Sequence, residues 1–209
     1  MQIKTKWILG VLMMVFLFLA LFWRWLHSPL PQYVGEKKLP SLQKKVDVYT
    51  DKFGVPHVFA ENEKDLFFSA GYIAARERLF QLSMVALAVK GELASVLGDS
   101  YLKTDIYLRT WRIRKVAVEL VRKMKPENKE IFESFCAGIN YWIKESKKDL
   151  PLEFKILGME PSLWDPVIVA GYTRMMAHEM SGSWKPEIVF GAVLEYFGEE
   201  KLSELIPNS

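Results

Sequence analysis

Two runs of period-two alternation come first in the folding pattern. Val46, Val48 and Thr50 share one face of the first run, and Val55, His57 and Phe59 share one face of the second. That period predicts strands with one buried face. Asp51-Lys52-Phe53-Gly54 lies between them and suits a tight turn, so residues 46–60 read as a hairpin. The pattern then turns helical. Asn62 is placed as an N-cap, and Glu63 and Asp65 fall in the first turn, where the positive end of a helix favours carboxylates. An apolar stripe continues to about Lys90, and Gly91 is placed to end the helix.

The rest of the pattern is mostly helical. Thr104 with Asp105 predicts a helix through Lys123. Pro126 and Glu127 suit the first turn of the next, in which Ile131, Phe135, Ile139, Trp142 and Ile143 form one stripe at three- and four-residue spacing. Cys136 lies beside that stripe, with no local histidine or acid partner, and reads as a buried structural thiol. Asp165 and Pro166 are a cap and first-turn pair for a helix to about Met180, broken by Ser181-Gly182-Ser183. A last helix is expected near 186–196, stopping at Gly198. Taken alone, the pattern is that of a helix-rich α+β domain.

The amino terminus is different in kind. Residues 1–6 are short and basic, with Lys4 and Lys6, and an apolar run follows from Trp7, with Trp23 and Trp25 near its end. The expectation is a transmembrane signal anchor over 7–26, preferred to a cleaved signal because no small-x-small site follows the apolar core. It would leave 1–6 as a cytoplasmic stub at a bacterial-type inner membrane and place the domain in the periplasm or outside the cell. Residues 27–44 read as a linker rich in proline and lysine, either a solvated tether or a segment touching anionic lipid. The domain proper is expected over 45–209.

Composition removes several classes of function. The chain has 209 residues, 28 Lys plus Arg and 25 Asp plus Glu; a net charge of +3 makes no electrostatic case for nucleic acid. One cysteine excludes an internal disulfide and a cysteine-based metal cluster. There is no G-x-S-x-G elbow and no P-loop, and His178-Glu179 lacks a second histidine at zincin spacing. His27, His57 and His178 are scattered; His57 and His178 read as structural.

The ordered set Asp51, Gly54, Val55, Pro56, His57, Ala60, Asp65, Leu66, Gly71, Tyr72, Ala75, Arg78, Leu79 and Gln81 resembles the start of the α chain of the penicillin acylase family. Gly91-Glu92-Leu93 and Leu97-Gly98 continue the match. A second segment runs from Leu150-Pro151-Leu152-Glu153-Phe154 through Leu157-Gly158 and Pro161 to Trp164. The resemblance implies part of an αββα sandwich built by two chains. It also implies an N-terminal-nucleophile hydrolase acting on the amide bond of N-acyl compounds, of the penicillin or the N-acyl-homoserine-lactone type. In such enzymes a serine at the amino terminus of the β chain attacks, and its own α-amino group, with a reference pKa of about 7.7–8.0, is the base. No catalytic residue is therefore expected in this chain.

By the same resemblance, the α chain supplies a wall of the acyl pocket and one ligand to a structural calcium. Met176, Met180 and Ser181 fall in the pocket zone. The family's Met-x-x-Arg-Phe cluster is not reproduced there, which favours an aliphatic over an aromatic acyl group, with methionines as an adaptable wall. Glu187, after Trp184-Lys185-Pro186, matches the calcium ligand; the β chain would supply the others, and a simple preference for the helix amino terminus accounts for it equally. Arg109 with Asp105 four residues earlier resembles a family pair, and a helix-surface salt bridge accounts for that as well. The rival reading is a non-catalytic, membrane-anchored helical domain that binds a partner or a small apolar ligand.

Overall fold

The structure, a computed structural model, describes residues 2–27, 30–31 and 33–205; side chains are not described for 2–6, 8, 9, 11 and 205. Ser28, Pro29, Ser209 and the side chains of the basic stub thus lie outside the described residues. Helix α1 spans Gln2–His27. The strands β1, Asp47–Thr50, and β2, Pro56–Phe59, pair antiparallel with Val48 opposite Val58 and Tyr49 opposite His57.

The expected hairpin is present, but its buried face is not the expected one. Val48, Val55 and Phe59 are exposed, and Pro56 and Val58 are the half-buried positions of β2. Packing of the hairpin against the following helix sets the phase of burial, and alternation alone leaves that phase undetermined. The turn is held by one side chain. Asp51 Oδ1 accepts from the backbone N–H of Phe53 at 2.8 Å and of Val55 at 2.9 Å, and Oδ2 lies 3.3 Å from His57 Nε2. Gly54, at φ 80°, takes the left-handed position.

Helix α2, Glu63–Lys90, starts and stops where its caps predict. Asn62 accepts from Asp65 N–H at 2.8 Å, and Gly91, at φ 67°, closes the far end with Glu92 N–H donating to Leu87 O. Helix α6, Pro126–Glu145, lies against α2. Two glycines make that approach possible. A Cβ on Gly71 would stand 2.0 Å from Phe135 O, and one on Gly138 would stand 1.9 Å from Phe68 O. The helices therefore meet backbone to backbone.

The core closes over this pair. Ala75, Leu79 and Ala86 of α2 pack with Cys136 and Ile139 of α6. Phe154, from the short helix α7, Leu152–Leu157, joins them, as do Trp164 and Ile168. Helix α8, Pro166–Met180, brings Ile168; Asp165 caps it by accepting from Ile168 N–H at 2.9 Å. Asn140 of α6 bonds both the N–H and the carbonyl of Trp164, at 2.9 and 2.8 Å. Phe154 and Trp164 from the second motif thus pack on Ala75 and Leu79 from the first. Burial pushes the Cys136 thiol up to about 12, with the charges of Asp165 and Glu133 acting the same way.

Between α2 and α6 the chain departs from expectation. The single helix expected from Thr104 to Lys123 is two: α4, Leu102–Thr110, and α5, Ile113–Lys123, after the short α3, Ala94–Leu97. Arg112 breaks them apart at φ 54°, the one described residue other than glycine with positive φ. Asp105 and Arg109 do not form a surface salt bridge. Buried Asp105 accepts from Leu93 N–H at 2.9 Å and Ala94 N–H at 2.8 Å, while Arg109 Nε donates to Gly91 O at 2.9 Å. Together they fasten the α2–α3 corner.

The linker is not a free tether. Tyr33 donates to Glu77 Oε2 at 2.9 Å beneath the Arg76 guanidinium, and Lys37 pairs with Glu145. Gln43 and Lys44 donate their backbone N–H groups to Asp65, each at 2.9 Å. Burial works to raise the Asp65 carboxyl. Hydrogen bonds from Gln43, Asn62 and Lys44 outweigh it and hold the group below the usual carboxylate range.

Among the described residues, no helix is long and apolar enough to cross a membrane. The transmembrane expectation for 7–26 is not supported. The final helical stretch, α9, spans Trp184–Leu205; Gly198, at φ 82° and ψ 176°, is non-helical and breaks it in two, at the position where the sequence predicts a stop.

Candidate functional site

The expected site residues lie where α8 gives way to α9. Pro166 at the first turn and the Asp165 cap start α8, and Ser181 ends it, with its N–H donating to the carbonyls of Ala177 and His178. Met176 and Met180 are four residues apart and so share a face of α8. Both project outward, 42% and 83% exposed. Ser181 Oγ donates to Ala177 O at 2.7 Å, so its hydroxyl is engaged within the helix end. The methionines therefore offer an exposed apolar surface.

Trp184, Ile188 and Val189 are large, apolar and exposed. Glu187 lies in the first turn of α9, exposed, and its carboxylate makes no hydrogen bond or ion pair among the described residues. No group of three or more histidine, cysteine, aspartate or glutamate residues is gathered to hold a metal ion among the described residues. Calcium takes six to eight oxygen ligands. Glu187 thus fits one ligand position and no more.

One cluster near these residues is not evident from sequence. Tyr107 and Trp111, four apart at the end of α4, close on His178 of α8. The Tyr107 hydroxyl and His178 Nε2 are 2.7 Å apart, and the Trp111 ring centroid lies 4.2 Å from that of His178. His178 is satisfied, as its helix-face position implies, but by a partner 71 residues away. The four-residue spacing of two aromatics was the available signal; which helix they meet is a tertiary fact. The cluster ties α4 to the same end of α8 that carries the methionines. Among the described residues, Cys136 is buried with its thiol pushed up and His57 faces Asp51 in the hairpin turn, so neither joins this cluster.

The chain is similar to several known proteins. The model of the penicillin amidase family matches residues 45–209. A penicillin acylase 2 proenzyme from Pseudomonas sp. (strain SE83) is 30% identical over 159 residues, covering 76% of this chain and 20% of that protein. An acyl-homoserine lactone acylase QuiP from Pseudomonas fluorescens (strain Pf0-1) is 28% identical over 183 residues, covering 88% of this chain and 22% of that protein. The solved thermostable penicillin G acylase from Alcaligenes faecalis superposes with a TM-score of 0.62 at 25% identity, over 79% of this chain and 93% of the solved chain. The chain spans about a fifth of the length of the curated relatives it matches.

Proposed function

Because this chain belongs to the penicillin amidase family, we propose that it is the α-chain portion of an acylase that hydrolyses the amide bond of N-acyl compounds. The substrates are of the penicillin or the N-acyl-homoserine-lactone type, the two classes named in its relatives. The observation that carries this reading is the exposed apolar surface of Met176 and Met180 at the end of α8, within the segment that matches the family. An exposed apolar face of this kind calls for something to cover it. In this reading a second chain covers it, and the acyl group of the substrate sits between the two. Met176 and Met180 then form one wall of the acyl pocket, and Ser181 its edge. The flexible methionine side chains adapt to an aliphatic chain.

The second chain brings the chemistry. Its amino-terminal serine attacks the amide carbonyl and its α-amino group takes the proton, so this chain contributes shape and not a reacting group. Glu187 contributes one oxygen to a calcium ion that joins the chains, with the remaining ligands coming from the partner.

Hydrolysis assays on the chain alone, and on the chain co-produced with a family β chain, test the reading. The chain alone is expected to be inactive and the pair active on N-acyl amides. Met180→Ala in the pair should raise KM for aliphatic acyl substrates several-fold with a smaller change in kcat. Glu187→Ala should remove the rise in thermal midpoint that calcium produces in the pair. Turnover by the isolated chain would overturn the assignment.

A further inference from the structure

Where the end of α2 meets α4 and α5, an open cavity of about 430 Å³ is lined by Val89, Leu108, Ile113 and Val118 and by five cations, Lys90, Arg109, Arg112, Arg114 and Lys115. Its floor is apolar and well packed: Val89, Leu108 and Ile113 are all buried. Its rim is cationic, and no carboxylate lines it. Lys90, Arg112, Arg114 and Lys115 make no ion pair or side-chain hydrogen bond among the described residues, and Arg109 spends only its Nε, on Gly91 O. The Arg112 break between α4 and α5 is what turns these side chains toward one hollow: a continuous helix from 104 to 123 would spread them around its circumference.

Five like charges around one hollow repel one another, and no acid here relieves them. An anion entering the rim relieves that repulsion. Arginine forks match a carboxylate, because two parallel N–H groups meet its two oxygens. Exposed Val118, with the accessible edges of Val89, Leu108 and Ile113, sets an apolar strip beside the cations and favours a ligand with an apolar tail over a small hydrated anion. A volume of this size lies within the range of small-molecule sites.

We propose that this cavity binds an aliphatic monocarboxylate, its chain on Val89, Leu108, Ile113 and Val118 and its carboxylate among Arg112, Arg114, Lys115 and Lys90. The site rests on the cavity and its charges and stands independently of the acylase reading.

Calorimetric titration of the full chain with sodium octanoate tests it, with octan-1-ol and sodium acetate as controls. One saturable octanoate site is expected, at least tenfold tighter than for either control and weakening as salt is raised. Val118 is 45% exposed, so Val118→Asp introduces a carboxylate at the floor's edge without disturbing the core; it should weaken octanoate at least tenfold. The pair Arg112→Gln and Lys115→Gln keeps the stems and should weaken it similarly. Far-ultraviolet circular dichroism checks that each variant is folded. Octanol binding as tightly as octanoate, octanoate binding unmoved in both folded variants, or no saturable octanoate site at all would each overturn the proposal.

Discussion

Single residues set the tolerances of this chain, and Gly138 is the sharpest case. A methyl group there would stand 1.9 Å from a backbone oxygen, which cannot swing aside as a flexible side chain can. Gly138→Ala should therefore cost at least about 1–3 kcal/mol, the usual range for overpacking, with Gly71→Ala close behind. Urea midpoints of the two variants check this. Gly91→Ala differs in kind: its new methyl would meet the Arg109 side chain, and the left-handed φ of 67° strains any residue with a Cβ. Asp65 sets a different limit. Its carboxyl is held below the ordinary value, so its contribution is complete above about pH 3.9, the reference for aspartate, and is lost as pH falls through the lower native value. In Asp65→Asn, the fall in thermal midpoint on acidification below about pH 4 should be shallower than in the parent. Asp51 is lowered too, chiefly by the Val55 N–H, so the slope will not vanish.

At the scale of elements, the break between α4 and α5 offers the clearest test. A left-handed conformation costs a residue with a side chain about 1–2 kcal/mol, and Arg112 bears that cost at φ 54°. Arg112→Gly should recover a few tenths to about 1 kcal/mol after the added freedom of the unfolded chain is counted, read as a higher thermal midpoint. The same break shows what could and could not be read ahead. Elements whose ends are marked by local chemistry were legible: Asn62 and Gly91 bound α2, and Asp165 with Pro166 starts α8. Trp111-Arg112 carries neither glycine nor proline, so nothing local announced the interruption. Asp105 and Arg109 looked like a helix pair because four-residue spacing implies one; each instead serves the 91–94 backbone, which only the tertiary fold brings near. For the candidate site, position on α8 was legible, and the Tyr107–Trp111 cluster on His178 was not. The linker carries the same lesson. Its prolines and lysines read as a tether, while its contacts to Glu77, Glu145 and Asp65 depend on helices far along the chain.

The whole molecule is packed on one side and bare on others. The α2–α6 pair, Phe154 and Trp164 form a sealed core, yet Tyr49, Phe53, Val55 and Phe59 on the hairpin and Met180, Trp184 and Ile188 at the α8–α9 end are exposed. Apolar surface on this scale promotes association. The isolated chain should bind a hydrophobic dye such as anilinonaphthalene sulfonate and elute larger than its 24.2 kDa mass in gel filtration. Co-production with a β chain should suppress both, and a dye-silent, monodisperse chain would show these faces need no cover.

The lone thiol supplies a clock for that core. Cys136 is sealed between the crossing helices and kept protonated at ordinary pH, so iodoacetamide cannot touch it while the pair stays shut. Alkylation then proceeds only through the open form. Its rate, followed by mass spectrometry, will report the fraction of molecules whose centre stands open, without any label having been engineered in.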